Sequence, residues 1–201
     1  MPSIYDLKPR FQALLRPLVK SLAEAGVTAN HVTAAALVLS FIVGALITLF
    51  PAEKWPLLLM PLALFVRMAL NAIDGMLARE HEMKSSLGAI LNELGDVLSD
   101  TALYLPLALV PGVNQILIVA ITILAIISEM AGAVAVQIGA QRRYDGPMGK
   151  SDRAFVFGAL CLLMGIGIDA EYWVDGVLVV VGGLLIATII NRARRALREV
   201  A

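Results

Sequence analysis

Two carboxylates and two amides recur at helical spacing in the middle of an otherwise apolar chain: Asn71 and Asp74, then Asn92 and Asp96. Asn71, Asp74 and Ala78 stand at i, i+3 and i+7 and so share one helical face, with Arg67 a turn behind them. Gly88, Asn92, Asp96 and Asp100 are spaced by four and line one face of the next segment. Facing carboxylates in a low-dielectric setting repel unless a cation joins them, and hard oxygen ligands suit Mg²⁺ or Mn²⁺. Gly75, Ala78 and Gly88 leave room for backbones, or a flat ligand, to approach closely. Two plainer readings compete. The polar groups could serve only as hydrogen-bonding glue between helices, or they could line the path of an ion-coupled transporter. Glue explains one Asn or Ser better than two Asp, two Asn and three small residues in register. A transporter would more naturally spread its ionisable groups through the membrane depth and show repeat symmetry.

The elements that must position these residues are membrane helices. The 201 residues are 59% hydrophobic and 16% charged, where a soluble domain carries about 25% charged residues. A hydrocarbon core about 30 Å thick needs roughly 20 apolar residues per helix. Six stretches meet or approach that length: His31–Phe50, Pro56–Arg79, Gly88–Pro111, Gln115–Ala140, Ala154–Ile168 and Val177–Ile190. The expected fold is therefore all-α, a polytopic membrane protein of six transmembrane helices. Pro51, Pro111 and Pro147 fall in turns, and Pro106 should bend the third span. The turn from Glu80 to Leu87 is short, so spans two and three should pack antiparallel. At 1.5 Å per residue, Asn71 and Asp96 each lie about 12 Å from the same end of their helices. Arg67 and Asp100 lie about 18 and 20 Å deep; they should pair, with Glu129 of span four joining, because an unpaired charge there is costly.

Fourteen of the sixteen Lys and Arg residues fall on one side of this arrangement, which predicts both termini in the cytoplasm. Tyr5–Ala25 places Leu7, Phe11, Leu14, Leu15, Leu18 and Leu22 at helical spacing between basic residues. It reads as an amphipathic helix lying along the cytoplasmic leaflet; a loosely ordered basic tail is the alternative. Met1–Ala29 lacks the apolar core and cleavage site of a signal peptide. With no internal repeat or low-complexity tract, one domain is expected: 1–30 interfacial, 31–190 the six spans, 191–201 a basic cytoplasmic tail. Cys161, the single cysteine, permits no internal disulfide. Nothing points to nucleic acid. His31 and His81 sit at span edges and read as interfacial residues, not metal ligands.

The stretch Asn71-Ala-Ile-Asp74-Gly75-Met-Leu-Ala78-Arg79, then eight residues to Gly88, three to Asn92 and three to Asp96, resembles the signature D-x2-D-G-x2-A-R-x8-G-x3-D-x3-D of the CDP-alcohol phosphatidyltransferases. Every spacing agrees over 26 positions. Thr28-Ala29-Asn30-His31-Val32-Thr33 is similar to the family's T-P-N-x-x-T start. Gly146-Pro147-Met148-Gly149-Lys150-Ser151-Asp152-Arg153 is similar to its basic loop between spans four and five. Asn71 and Asn92 replace the first and third acidic residues of the signature, and Ala29 replaces the proline. A bacterial inner-membrane branch of the family looks similar, with the same two Asn and the same N-E-x-G-D-x-x-S-D run, here Asn92 to Asp100.

The resemblance implies a metal-dependent enzyme, using Mg²⁺ or Mn²⁺, that moves a phosphatidyl group from CDP-diacylglycerol or a related CDP-alcohol to an acceptor hydroxyl, with CMP leaving. Asn71, Asp74 and Asn92 would bind metal and diphosphate. Asp96 would bind metal and take the acceptor proton, so Asp74 and Asp96 are the catalytic pair. Arg79 would contact the donor phosphates, and Gly75, Ala78 and Gly88 would seat the cytidine side. Glu93 or Asp100 is available as an auxiliary ligand, and Arg67 as an auxiliary partner. Lys150 and Arg153 are candidates for an anionic acceptor; Arg142 and Arg143 stand beside them, either for the same purpose or only to enforce orientation. A homodimer in the inner membrane, with its site on the cytoplasmic side, is expected by the same resemblance. The competing function is a catalytically weakened relative that binds nucleotide-lipid or anionic lipid as a partner subunit.

Overall fold

Helix starts follow the local chemistry of the sequence. Thr28 caps its helix by accepting from His31 N at 3.3 Å, and the His31 ring accepts in return from Thr28 N. His31 is thus spent on a cap. Ser85 accepts from Gly88 N at 2.9 Å, and Asn114 accepts from Ile116 N and Leu117 N. Such caps satisfy the orphan N–H groups of a first helical turn.

The computed structural model describes residues 4–201. Among them the regular elements are helices: α1 (Ile4–Glu24), α2 (Ala29–Leu49), α3 (Trp55–Glu80), α4 (Ser86–Tyr104), α5 (Gln115–Val134), α6 (Lys150–Gly165) and α7 (Glu171–Val200). Residues 1–3, the start of the expected interfacial segment, and the side chain of Leu7 lie outside what is described. α4 gives way to a 3₁₀ turn over Leu105–Leu109, where Pro106 removes a backbone donor. A second 3₁₀ turn, Ala135–Ile138, ends α5.

Four helical stretches are long and apolar enough to cross a membrane: Ala29–Leu49, Trp55–Glu80, Gln115–Ile138 and Trp173–Val200. α4 carries the polar face described above. α6 has 16 residues, about 24 Å of helix against a core of about 30 Å. The six expected spans thus all appear as helices, four of which reach spanning length and apolarity. The expected basic tail does not separate from the last helix. α7 continues to Val200, because Arg192 is buried and Ala196 packs against Ala135 and Ala140.

Neighbouring helices follow the order α6, α3, α2, α4, α5, α7, with α1 laid against α3. The expected direct packing of α3 on α4 is not found. Both lean on α2, and they make little backbone contact with each other. The α2–α4 crossing is tight: a Cβ on Gly44 would stand 1.9 Å from the Ala102 carbonyl oxygen. The inner faces form one apolar core, including Ile47, Met60, Leu103, Phe157, Leu178 and Leu185. Tyr104 and Phe157 stack within it, ring centroids 4.1 Å apart. A second cluster joins α1 to α2 and α3 through Val19, Val32, Ile73, Met76 and Leu77. α1 turns Phe11, Leu15, Val19 and Leu22 toward the protein, while Leu14 and Leu18 of the expected stripe point outward, 76% and 50% exposed. A bidentate Arg16–Glu80 pair pins α1 to the end of α3.

Candidate active site

α3 and α4 share few backbone contacts, and the cleft between them is the gap that the side chains of Arg67, Asn71, Asp96 and Asp100 cross. From α3, Asp74 is buried and accepts from Thr33 Oγ1 of α2 at 2.8 Å. From α4, Asp96 is partly exposed. Its Oδ1 receives the Lys150 ammonium from the start of α6, and Asn71 Nδ2 lies 3.4 Å from the same oxygen. Arg67 Nη2 donates to the Asp96 carbonyl at 3.0 Å and stands 3.7 Å from Oδ1. Asp74 stands one turn from Asn71 on the same face of α3. Asn71, Asp74, Asp96 and Lys150 are therefore brought together at one level of the bundle.

The other expected residues surround this level. Asn92 is exposed on α4, one turn from Asp96 toward the Ser85 cap. Gly88 packs against Asn30: a Cβ there would meet the Asn30 Oδ1 at 2.8 Å. Arg79 is exposed and folds its guanidinium over Gly75, where a Cβ would stand 3.0 Å from Nη2. Ala78 lies on the cluster beneath α1. Glu93 forms a bidentate pair with Arg142, whose guanidinium stacks on the Tyr144 ring. That pairing occupies the Glu93 carboxylate.

Deeper in the bundle, five helices each contribute a charged residue to one buried network. Arg67 of α3 donates to Asp100 of α4 at 2.5 Å, the pair expected from their depth. Arg153 of α6 donates to Asp100 at 2.7 Å and to Glu129 of α5 at 3.0 Å. Arg192 of α7 lies 3.4 Å from Glu129 and donates to the Ser128 carbonyl. Arg153, expected beside the acceptor, has no solvent exposure; it sits under the site rather than at its mouth. Its two buried carboxylate partners hold it there, since a buried guanidinium without counter-charges is costly. Asp100 is likewise taken up by two arginines. Of the basic pair, only Lys150 reaches the cleft.

Thr33, which holds Asp74, and Arg192, which joins the buried network, are residues that sequence reasoning left without a role. Thr33 closes the T-x-N-x-x-T start, five residues from its cap at Thr28, so a helical register would have turned it toward α3. Arg192 follows an apolar span without a break, and that continuity was the available signal.

The donor set suits a hard divalent cation in kind: the Asp74 and Asp96 carboxylates with the amide oxygens of Asn71 and Asn92. Among the described residues, no group of three or more His, Cys, Asp or Glu side chains stands close enough to hold a metal.

The family model for CDP-alcohol phosphatidyltransferases matches residues 26–191. The inner membrane protein YnbA of Escherichia coli (strain K12) is 47% identical over 195 residues, 97% of this chain and 96% of that protein. The archaetidylinositol phosphate synthase of Pyrococcus horikoshii is 33% identical over 106 residues, 51% of this chain and 52% of that one. The fold is similar to that of Mycobacterium tuberculosis phosphatidylinositol phosphate synthase (PgsA1). The crystal structure of its complex with manganese and citrate superposes with a TM-score of 0.74 at 18% identity, covering 90% of this chain and 87% of that one. The CDP-DAG-bound form gives 0.70 at 20% identity, covering 92% of each.

Proposed function

This chain belongs to the CDP-alcohol phosphatidyltransferase family, and from that premise we propose that it transfers a phosphatidyl group from CDP-diacylglycerol, or a related CDP-alcohol, to an acceptor hydroxyl. The observation that carries the reading is the convergence of Lys150 and Asn71 on Asp96 between α3 and α4, with Asp74 held by Thr33 on the same face of α3 as Asn71. The CDP-DAG bound by PgsA1 supports a CDP-lipid donor here. The reaction forms a bond from the acceptor oxygen to the lipid-side phosphorus and breaks that phosphorus–oxygen bond to CMP, which leaves. Such transfer depends on placement and charge neutralisation more than on covalent help.

In this reading Asp96 takes the acceptor proton at Oδ2, while Lys150 and Arg67 hold the opposite oxygen and fix the carboxylate. Thr33 orients Asp74 by donating to its Oδ2. Arg79, exposed at the end of α3, meets the donor phosphates. Asp74, Asp96, Asn71 and Asn92 would hold a divalent cation, Mg²⁺ or Mn²⁺, whose charge when bound neutralises the diphosphate. Lys150, half-buried at the cleft, is the group available to an anionic acceptor. The protein spans the inner membrane with six helices in one domain, both termini in the cytoplasm and the site on that face; the homologue named an inner membrane protein supports the location. Within the lipid a homodimer is proposed.

Incubation of purified protein with CDP-diacylglycerol and a panel of alcohols, alcohol phosphates and lipid acceptors tests the reading. A new phospholipid that requires one acceptor and is abolished by EDTA is expected. A second reading, a binding subunit without turnover, is favoured by Asn71 and Asn92 in place of carboxylates. Tight binding of the donor with no product under any acceptor would favour it.

A further inference from the structure

Asp96 Oδ1 is the most crowded oxygen of the cleft, for Lys150 Nζ, Asn71 Nδ2 and Arg67 Nη2 all converge on it. An oxygen that already faces an ammonium, an amide N–H and a guanidinium is poorly placed to bridge two cations. We propose that this site takes one divalent cation rather than a pair, and that the Lys150 ammonium stands in the place of the second. The inference rests on the donor reading above and concerns how its charge is balanced.

The charges around the site lead to it. Asn71 and Asn92 stand where the signature has carboxylates, which removes two negative charges, the equivalent of one divalent ion. The carboxylates that remain in and beneath the cleft are Asp74, Glu93, Asp96, Asp100 and Glu129. Arg67, Arg142, Lys150, Arg153 and Arg192 each pair with at least one of the last four, while Asp74 is held by the Thr33 hydroxyl. Exposed Arg79 apart, the cluster is thus neutral before any ligand arrives. A donor diphosphate with two negative charges, accompanied by one divalent ion, keeps it neutral. A second ion would add two positive charges beside three buried arginines, with Asp74 and Asp96 already taken by the first ion. Glu93 is paired with Arg142 and Asp100 with Arg67 and Arg153, so neither is free to complete a second ligand set. Low local dielectric makes that imbalance expensive.

Titration of the purified protein with Mn²⁺ in the presence of CDP-diacylglycerol, read by the electron paramagnetic resonance of bound Mn²⁺, tests this. One ion per chain, with no broadening from a neighbouring ion, is expected. Lys150→Gln should still bind one ion, at least about threefold more tightly, because the ammonium no longer competes for Asp96. Replacing Asn71 and Asn92 by Asp together with Lys150→Gln should raise the count to two, with spectra broadened by coupling between the ions. Two ions in the unaltered protein, or none, would overturn the proposal. Unchanged affinity in Lys150→Gln would overturn the part assigned to the ammonium. A triple variant that retains the thermal transition of the parent yet binds one ion would overturn the charge argument. The unaltered protein and Lys150→Gln give their answers even where the triple variant fails to fold. Two ions alongside intact CMP release contradict this inference alone, whereas one ion without CMP release contradicts only the transferase reading.

Discussion

Arg153 donates twice to Asp100 Oδ2, through Nε at 3.2 Å and Nη2 at 2.7 Å, with the arginine wholly shielded from solvent. The same guanidinium reaches Glu129 on a third helix, so one side chain ties α6 to α4 and α5. Removing it leaves two buried carboxylates short of a partner. Arg153→Met is expected to cost about 3–5 kcal/mol of stability, read as an earlier thermal transition in detergent. Arg153→Lys should fall between, since an ammonium lacks the fork that serves both partners. A transition unmoved by Arg153→Met would show that the network contributes nothing to the fold.

Thr33 acts on the site through Asp74. Its hydroxyl hydrogen bond to a buried carboxylate is worth about 1.5–3 kcal/mol. Thr33→Val, nearly the same shape, should therefore leave the fold in place and lower transfer by about tenfold or more. Thr33→Ser should restore most of it. Equal transfer by Thr33→Val and the parent protein, at saturating and subsaturating donor, would remove Thr33 from the account.

Glycines along the spans divide by what they touch. A Cβ at Gly44 would overlap the Ala102 carbonyl oxygen, whereas one at Gly182 of α7 meets nothing within 4 Å. Gly44→Ala must force α2 and α4 apart, at about 1–3 kcal/mol, and should reduce folded yield. Gly182→Ala should be neutral or slightly stabilising. Similar yields and thermal transitions for both variants would contradict the close α2–α4 crossing.

The loop before α6 is clamped to the end of α7. Asp145 accepts from Arg143 at 2.8 Å and from Arg195 at 2.7 Å. Partial burial works to raise its carboxyl, but the Arg143 hydrogen bond and the charges of Arg143 and Arg195 more than offset it, holding the group below its usual range. Because the folded value is depressed, the stabilisation is present above the free aspartate value of about 3.9 and is lost as pH falls through the folded value. Amide exchange over residues 141–149 should accordingly rise on acidification below about pH 3.9. Asp145→Asn should show raised exchange already at neutral pH and no such step. Identical profiles for the two proteins would exclude Asp145 as the clamp.

Much of the site was legible because helical spacing is a local property. The intervals from Asn71 to Asp74 and from Gly88 through Asn92 to Asp96 fix a face wherever a helix forms, and the Arg67–Asp100 pair followed from counting rise per residue. The interval between spans two and three, by contrast, gives only the length of a turn. That α2 takes up the space between α3 and α4 depends on Gly44 meeting Ala102, which no spacing within α3 or α4 records. Lys150 and Arg153 look alike in a basic loop, and three positions of helix send one into the cleft and the other beneath it. Arg192 looked like part of a tail because its partners, Glu129 and the Ser128 carbonyl, lie on another helix.

CMP release from CDP-diacylglycerol by the purified protein, compared with Asp96→Asn and Asp74→Asn, tests the central claim most directly. Release that depends on a divalent cation and an acceptor is expected, reduced by about 10²-fold or more in each variant. No release from folded protein that binds the donor, or release left intact by Asp96→Asn, would contradict it.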